Sequence, residues 1–344
     1  MSNVSLEQLP SPREVAGVTL EEFQGLISDA YEPLVVRQLA DDWNIVKAAN
    51  ESSEATAAHL KKFDTGRTLP LVVAPAESAG KLSYNEKYDG FNFTREEAVL
   101  SAGLDRMMTR SDDAGDPYVF FQCIPVAKAL PDIEKELDNP LVPSSSKPHI
   151  WIGSKITVAA HFDEAKNIAI VAAGRRRFTL FPPEQVSNLY VGRLDFTPAG
   201  QPISLVDARA PDFERFPRFK EALDAAVSVE LSPGDAIYIP APWWHHVESL
   251  EKLNVLINYW WDGAYAASGL PFTALIHAIQ AFRHLPESER GAWKTLLDHY
   301  VFECDGDPAA HLDPRNSGVL GSMTPQLALQ IHQWLAHQIG PLKK

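Results

Sequence analysis

Between Pro117 and Trp261 the chain runs through short segments, each rich in β-branched or aromatic residues and each closed by Gly, Pro, Asp or Ser. That rhythm constrains the fold most. Segments so short and so punctuated do not sustain helices, and they bury their apolar residues only by pairing side by side. They are Tyr118–Ile124, Ile150–His161, Ile168–Ala173, Arg175–Phe181, Ile203–Val206, Ala226–Leu231, Asp235–Pro240 and Asn254–Trp261. About eight such strands in roughly 145 residues predict an antiparallel sandwich or barrel.

The flanks differ. From Val18 to about Ala98 the pattern is mixed. Thr19, with Glu22 three residues on, reads as a capping box opening a helix over Leu20–Ala30, and Pro33–Gln38 and Leu69–Val73 read as strands. Thr94-x-x-Glu97 resembles a second capping box and predicts a helix over Arg95–Thr109. After Gly269 apolar residues recur at three- and four-residue spacing, predicting helices over Phe272–Leu285, Glu287–Phe302 and Thr324–Ile339. The expected organisation is therefore mixed α/β elements over 1–115, a β core over 116–264 and a helical region over 265–344 that caps the core or forms a dimer seam. The fold class is mainly β with α.

Composition narrows the partners. Lys and Arg total 31 against 45 Asp and Glu, a net charge of −14, so the overall field repels phosphate. Arg175-Arg176-Arg177 is too short to offset that, and no nucleic-acid partner is expected. Two cysteines, Cys123 and Cys304, make neither a disulfide framework nor a thiolate zinc site, which suits a reducing compartment; Cys123 is expected to be buried in its strand. The N-terminus has no secretory pattern. The longest apolar runs, Ile168–Ala173 and Ala236–Trp244, fall far short of the ~18 residues that cross a bilayer, so a cytoplasmic protein without a membrane partner is expected. No GxSxG, P-loop or GxGxxG is present, which leaves nucleophile-elbow and nucleotide chemistry without support.

Chemistry concentrates at Ala160-His161-Phe162-Asp163. Two residues apart at a strand end, His161 and Asp163 project to one face. A bare HxD is common by chance and more often a hydrogen-bonded core pair. Downstream, however, Pro240-Ala241-Pro242-Trp243-Trp244-His245-His246 follows a predicted strand and offers a second histidine. Two imidazoles and one carboxylate form the ligand set of a non-haem Fe(II) site with open positions. Adjacent histidines point apart, so His246 is expected to be a packing or supporting residue.

The order HFDEAKN, GRRRFTLFPP, PGDAIYIPAPWWHHVESL and NVLINYWW resembles the Jumonji C and cupin-like Fe(II)- and 2-oxoglutarate-dependent oxygenases, in particular their asparaginyl hydroxylase branch. The likeness covers roughly Tyr118 to Asp262. It implies a double-stranded β-helix (the cupin jelly roll), with His161, Asp163 and His245 as metal and catalytic residues. It also implies 2-oxoglutarate as cosubstrate near Asn167, Asn258, Trp260 and Arg176. Arg176 stands where that branch carries a lysine. Strand alternation puts Arg176 with Phe178 and Leu180 on a core-facing side, where a cation needs an anion: either the far carboxylate of 2-oxoglutarate or a core Asp or Glu. Two departures stand out. Val158 replaces a threonine, and the expected upstream tyrosine is ambiguous in YVFFQC, where Tyr118 takes the role if the strand is shifted. The resemblance further implies hydroxylation or demethylation of a peptide or protein side chain, with succinate and CO₂ as coproducts, and a homodimer through the C-terminal helices. The competing expectations are a metal-binding cupin that binds or transforms a small molecule without 2-oxoglutarate, and an interaction module without chemistry.

Overall fold

The computed structural model describes residues 5–261 and 271–339. The chain divides into two compact units, Met1–Trp261 and Asp262–Lys344. Strands of the first unit are β1 (Arg13–Ala16), β2 (Leu34–Arg37), β3 (Thr68–Ala74), β4 (Lys81–Leu82), β5 (Thr94–Val99), β6 (Tyr118–Pro125) and β7 (Pro148–Gly153). They continue as β8 (Thr157–His161), β9 (Lys166–Ala173), β10 (Arg176–Phe181), β11 (Val227–Leu231), β12 (Ala236–Ile239), β13 (Trp244–Ser249) and β14 (Asn254–Trp261).

Two sheets face each other. The larger has the order β1-β2-β12-β9-β14-β7-β6-β3-β5 and the smaller β11-β10-β13-β8-β4. From β7 to β14 the chain passes back and forth between them, which is the jelly-roll or double-stranded β-helix arrangement. The N-terminal strands are added to the same two sheets, so residues 1–115 extend the β core and do not stand apart. Between the sheets lies an apolar lumen that includes Ala169, Val171, Phe178, Leu180, Val247 and Leu256. On the far side of the large sheet, Ile168, Ile170, Val255 and Ile257 pack with Phe23, Leu60 and Leu104 from the helices Leu20–Asp29, Ser53–Lys61 and Leu100–Thr109. Residues that alternate along β9 and β14 therefore serve two cores, as strands buried on both faces do.

Local signals explain several of these elements. Thr19 accepts from Glu22 N while the Glu22 carboxylate accepts from Thr19 N, so the capping box opens the first helix as expected. β14 matches its predicted limits to the residue. The second capping signal misleads: Thr94–Val99 is strand β5, held antiparallel to β3, and the helix begins only at Leu100. Its free first-turn N–H groups are met from elsewhere in the chain, because Asp64 accepts from Ser101 N at 2.9 Å. Ile150–His161 is two strands, broken at Ser154–Ile156 where the chain crosses from one sheet to the other. Ile203–Val206 forms no strand beyond a single bridge, Val191 to Ser204. Trp244–Ser249, a strand the pattern hid, carries polar residues that are nonetheless buried.

Bulges shape the sheets around the lumen, and two of them bear on residues singled out from the sequence. Along β13 and β8, His245 pairs with His161 but Val247 pairs with Val158, so β8 carries one extra residue. A bulge of this kind reverses side-chain phase, and it lets Val158 and His161, three apart, both face the lumen. On β6 the register also slips between Phe121 and Ile124, and Cys123 there adopts φ 51°. This turns the thiol out of the core, so Cys123 is exposed and not buried as predicted.

Among the described residues of the second unit the α-helices are Pro271–Phe282, Glu287–Tyr300 and Pro325–Gln338, close to the predicted limits. None contains a buried residue. Leu275, Trp293, Tyr300, Phe302, Leu329 and Trp334 are all exposed. No helix among the described residues is long and apolar enough to cross a membrane.

Candidate metal centre

β8 ends at His161, Asp163 follows in the short connection to β9, and β13 brings His245 opposite His161. One ligand atom from each of His161, Asp163 and His245 lies within 4.8 Å of the others, and this is the one such cluster among the described residues. The imidazole rings are 4.2 Å apart between centroids, and His245 Nε2 is 3.8 Å from Asp163 Oδ2. Each ring is anchored through its other nitrogen. His161 Nδ1 lies 3.0 Å from Ala159 O, and His245 Nδ1 lies 3.1 Å from Trp243 O. A carbonyl only accepts, so Nδ1 carries the proton and the Nε2 lone pairs are left for a cation. Burial, helped by neighbouring His161, pushes His245 down to about 4, so it is a neutral donor at neutral pH.

The carboxylate is held from behind. Asn167 Nδ2 donates to Asp163 Oδ2 at 2.9 Å and Trp260 Nε1 donates to the same oxygen at 3.0 Å. Asn258 Nδ2 donates in turn to Asn167 Oδ1 at 2.7 Å. Three of the residues selected from the sequence thus form one relay ending on Asp163. Together they hold the Asp163 carboxylate in place.

Arg176 enters the lumen with Phe178 and Leu180, as alternation required. It is 2% exposed, and its Nε and Nη2 have no hydrogen-bond partner among the described residues. No Asp or Glu is paired with it among the described residues, so the core salt bridge, the alternative to an anionic ligand, is not formed there. Burial lowers its guanidinium to about 9, still charged at neutral pH. Its sequence neighbours are partnered on the outer face: Arg175 with Glu230 and Glu251, Arg177 with Glu7, Glu230 and Glu248.

Two positions lie elsewhere. Tyr118 pairs with Ala74 and lies in the apolar group against which Trp151 and Val158 pack; its ring lies under the Arg110 guanidinium at 3.6 Å and its hydroxyl donates to Asp112 Oδ1 at 3.4 Å. It is not brought to the cluster. His246 points to the outer face, is 1% exposed, and has its Nε2 3.9 Å from Glu248 Oε1, so it packs and does not support the ligands. Val158 faces the lumen, while the Thr157 hydroxyl accepts from Arg209 on the opposite side.

Sequence reasoning missed His149 and Trp151. Both lie on the lumen face of β7, with the His149 ring 5.1 Å from Trp260 and the Trp151 ring 6.5 Å from it. Alternation in HIWIG, with two isoleucines on the other face, carried that signal.

A jelly roll with two histidines and a carboxylate at one end of its lumen defines a cupin-type candidate metal protein. Comparison places it further. The cupin-like domain family matches residues 20–267, and the chain belongs to that family, which includes the JmjC proteins. It is 26% identical over 257 residues to JmjC domain-containing protein D of Dictyostelium discoideum, covering 68% of this chain and 52% of that one. It is 25% identical over 256 residues to lysine-specific demethylase 8 of Danio rerio, covering 71% and 56%. Over 113 residues it is 38% identical to human HSPB1-associated protein 1, covering 32% and 22%. The chain thus spans between about a fifth and just over half of the length of these curated relatives.

Proposed function

We propose that this chain is an Fe(II)- and 2-oxoglutarate-dependent oxygenase in which His161, Asp163 and His245 hold the metal and Arg176 holds the far carboxylate of 2-oxoglutarate. One observation carries the choice over a cupin that does without 2-oxoglutarate: a fully buried guanidinium with unmatched N–H groups. Such a group is very costly unless an anion meets it, and a dicarboxylate that chelates the metal at one end presents its other end to the lumen. The donor set also fits the metal, since two neutral imidazoles and a carboxylate leave positions for a bidentate ligand.

When bound, Fe(II) and 2-oxoglutarate supply oxidative decarboxylation to succinate and CO₂ coupled to oxidation of a substrate C–H bond by O₂. The residues do the rest. Ala159 and Trp243 carbonyls fix the imidazole tautomers, Asn167 and Trp260 fix the carboxylate, Arg176 sets the cosubstrate's direction, and the apolar lumen excludes water. A peptide or protein side chain is the proposed substrate, with hydroxylation or demethylation as outcome, a view supported by relatives named as demethylases and as an HSPB1-associated protein. The exposed apolar residues of the C-terminal helices support a homodimer, to be checked by light scattering at micromolar concentration. The two free cysteines fit a cytoplasmic setting.

The test is succinate formation from 2-oxoglutarate with Fe(II), ascorbate and air, followed by NMR. Slow turnover that Asp163→Ala abolishes is expected. Absence of turnover together with absence of 2-oxoglutarate binding to the Zn(II)-loaded protein sinks the proposal.

A further inference from the structure

We infer that Trp151 donates its indole N–H to the same carboxylate that Arg176 grips, so that the two residues together form the seat for the far end of 2-oxoglutarate. This rests on the oxygenase reading and deepens it.

Trp151 lies on β7 opposite Leu256 of β14, two residues deeper than the Asn258–His149 pair beside the metal ligands. Its ring is nearly parallel to Phe120, 5.8 Å away at 27°, and packs against Val158 and the lumen cluster that includes Phe178 and Val247. Its Nε1 is buried without a hydrogen-bond partner among the described residues, as are Nε and Nη2 of Arg176. Arg176 enters from the small sheet opposite Leu231 and Ser249, at the deep end of β10 and four residues beyond Leu180, the partner of His245.

Indole and guanidinium are donors only, so both need the same kind of partner, an acceptor oxygen. Among the described residues neither group meets an acceptor; Val158 stands where the resemblance implies a threonine, and Phe120, one of the aromatic residues of YVFFQC, lies against the indole. Unmatched buried donors are costly, and a cationic one most of all. One carboxylate has enough lone pairs to accept from both and also neutralises the charge, which a trapped water does not. The indole thus supplies a donor where Val158 brings no hydroxyl.

The experiment uses full-length protein loaded with Zn(II), which is diamagnetic and redox-silent, with its eight tryptophans labelled with ¹⁵N at the indole. On titration with 2-oxoglutarate, the indole signal assigned to Trp151 is expected to move. Trp151→Phe keeps an aromatic ring and removes the donor, and it is expected to weaken 2-oxoglutarate binding about tenfold. Zn(II) affinity and thermal stability should stay as in the wild type. Affinity for oxalate, which chelates the metal but has no far carboxylate, should change less than about twofold. If Trp151→Phe does not fold, Trp151→Tyr assigns the signal and the wild-type shift still decides. A stationary signal, or a variant that binds 2-oxoglutarate as tightly as wild type, overturns this inference and leaves the oxygenase reading intact. Equal weakening towards oxalate also overturns it, by showing a general disturbance of the site. A wild-type protein that does not bind 2-oxoglutarate overturns both.

Discussion

On the outer face of β10, Arg175 and Arg177 meet Glu7, Glu230, Glu248 and Glu251; on the lumen face of the same strand, Arg176 meets no carboxylate among the described residues. Three consecutive arginines thus experience two electrostatic environments. The Arg175 pairs lie partly in water, where each gives little and losing one costs little, while Arg177 and Glu248, largely buried, balance each other. The inner charge lies where solvation is gone, and only an arriving anion restores what burial took. The difference teaches that balanced charge in this barrel marks structure, whereas unbalanced charge marks a place prepared for something else.

Arg176→Met should sharpen this contrast most. Calorimetry with Zn(II)-loaded protein should show 2-oxoglutarate affinity falling by on the order of a hundredfold or more, while the melting temperature stays level or rises, because a buried unpaired charge has been replaced by an apolar chain of similar length. A clear drop in melting temperature would break the comparison, since it would reveal a structural partner. Next in size are Trp260→Phe and Asn167→Ala, each of which removes a donor to Asp163. Competition with a chelator should show metal affinity down roughly 10- to 100-fold, with the fold retained.

Acid provides the third test. Burial depresses His245 to about 4 and His246 to about 3, below the ordinary 6.5. Between those limits the unfolded chain binds protons that the folded one refuses, so stability is full above about 6.5 and falls as pH drops towards 4. In metal-free protein each histidine contributes at most about 1.4 kcal/mol per pH unit, visible as a falling melting temperature from pH 7 to pH 4.5. A flat profile would mean that water reaches both rings. The smallest effect belongs to Arg175→Ala: its side chain is 50% exposed, and unfolding by urea should shift by less than about 1 kcal/mol.

Much of this was legible in the residues. Period-two alternation placed β14 to the residue, put Arg176 on the inner face, and gave Asn258 and Trp260 a common side. HFD and PWWHH supplied the cluster that the sheets then assembled. What escaped had a physical cause in each case. Thr94–Val99 carries a helix-start signal, yet the open edge of β3 claims it as a strand, and the real cap, Asp64, is 37 residues away. Trp244–Ser249 has no alternation to read because polar residues are buried on both of its faces. The relay from Asn258 through Asn167 to Asp163 needs two strands in register, and the isolation of Trp151 Nε1 depends on what surrounds it in space. Neither is a property of a short stretch of sequence.

The additional residue in β8 makes the ligand set a matter of counting. With the bulge, His161 lies inside the barrel beside His245; if the same residues paired regularly onward from Val158, the imidazole would turn outward and Ala160 would stand opposite His245. Deleting either Ala159 or Ala160 would make the two strands equal in count and keep His161 opposite His245, so the chain carries one residue here that the pairing itself does not need.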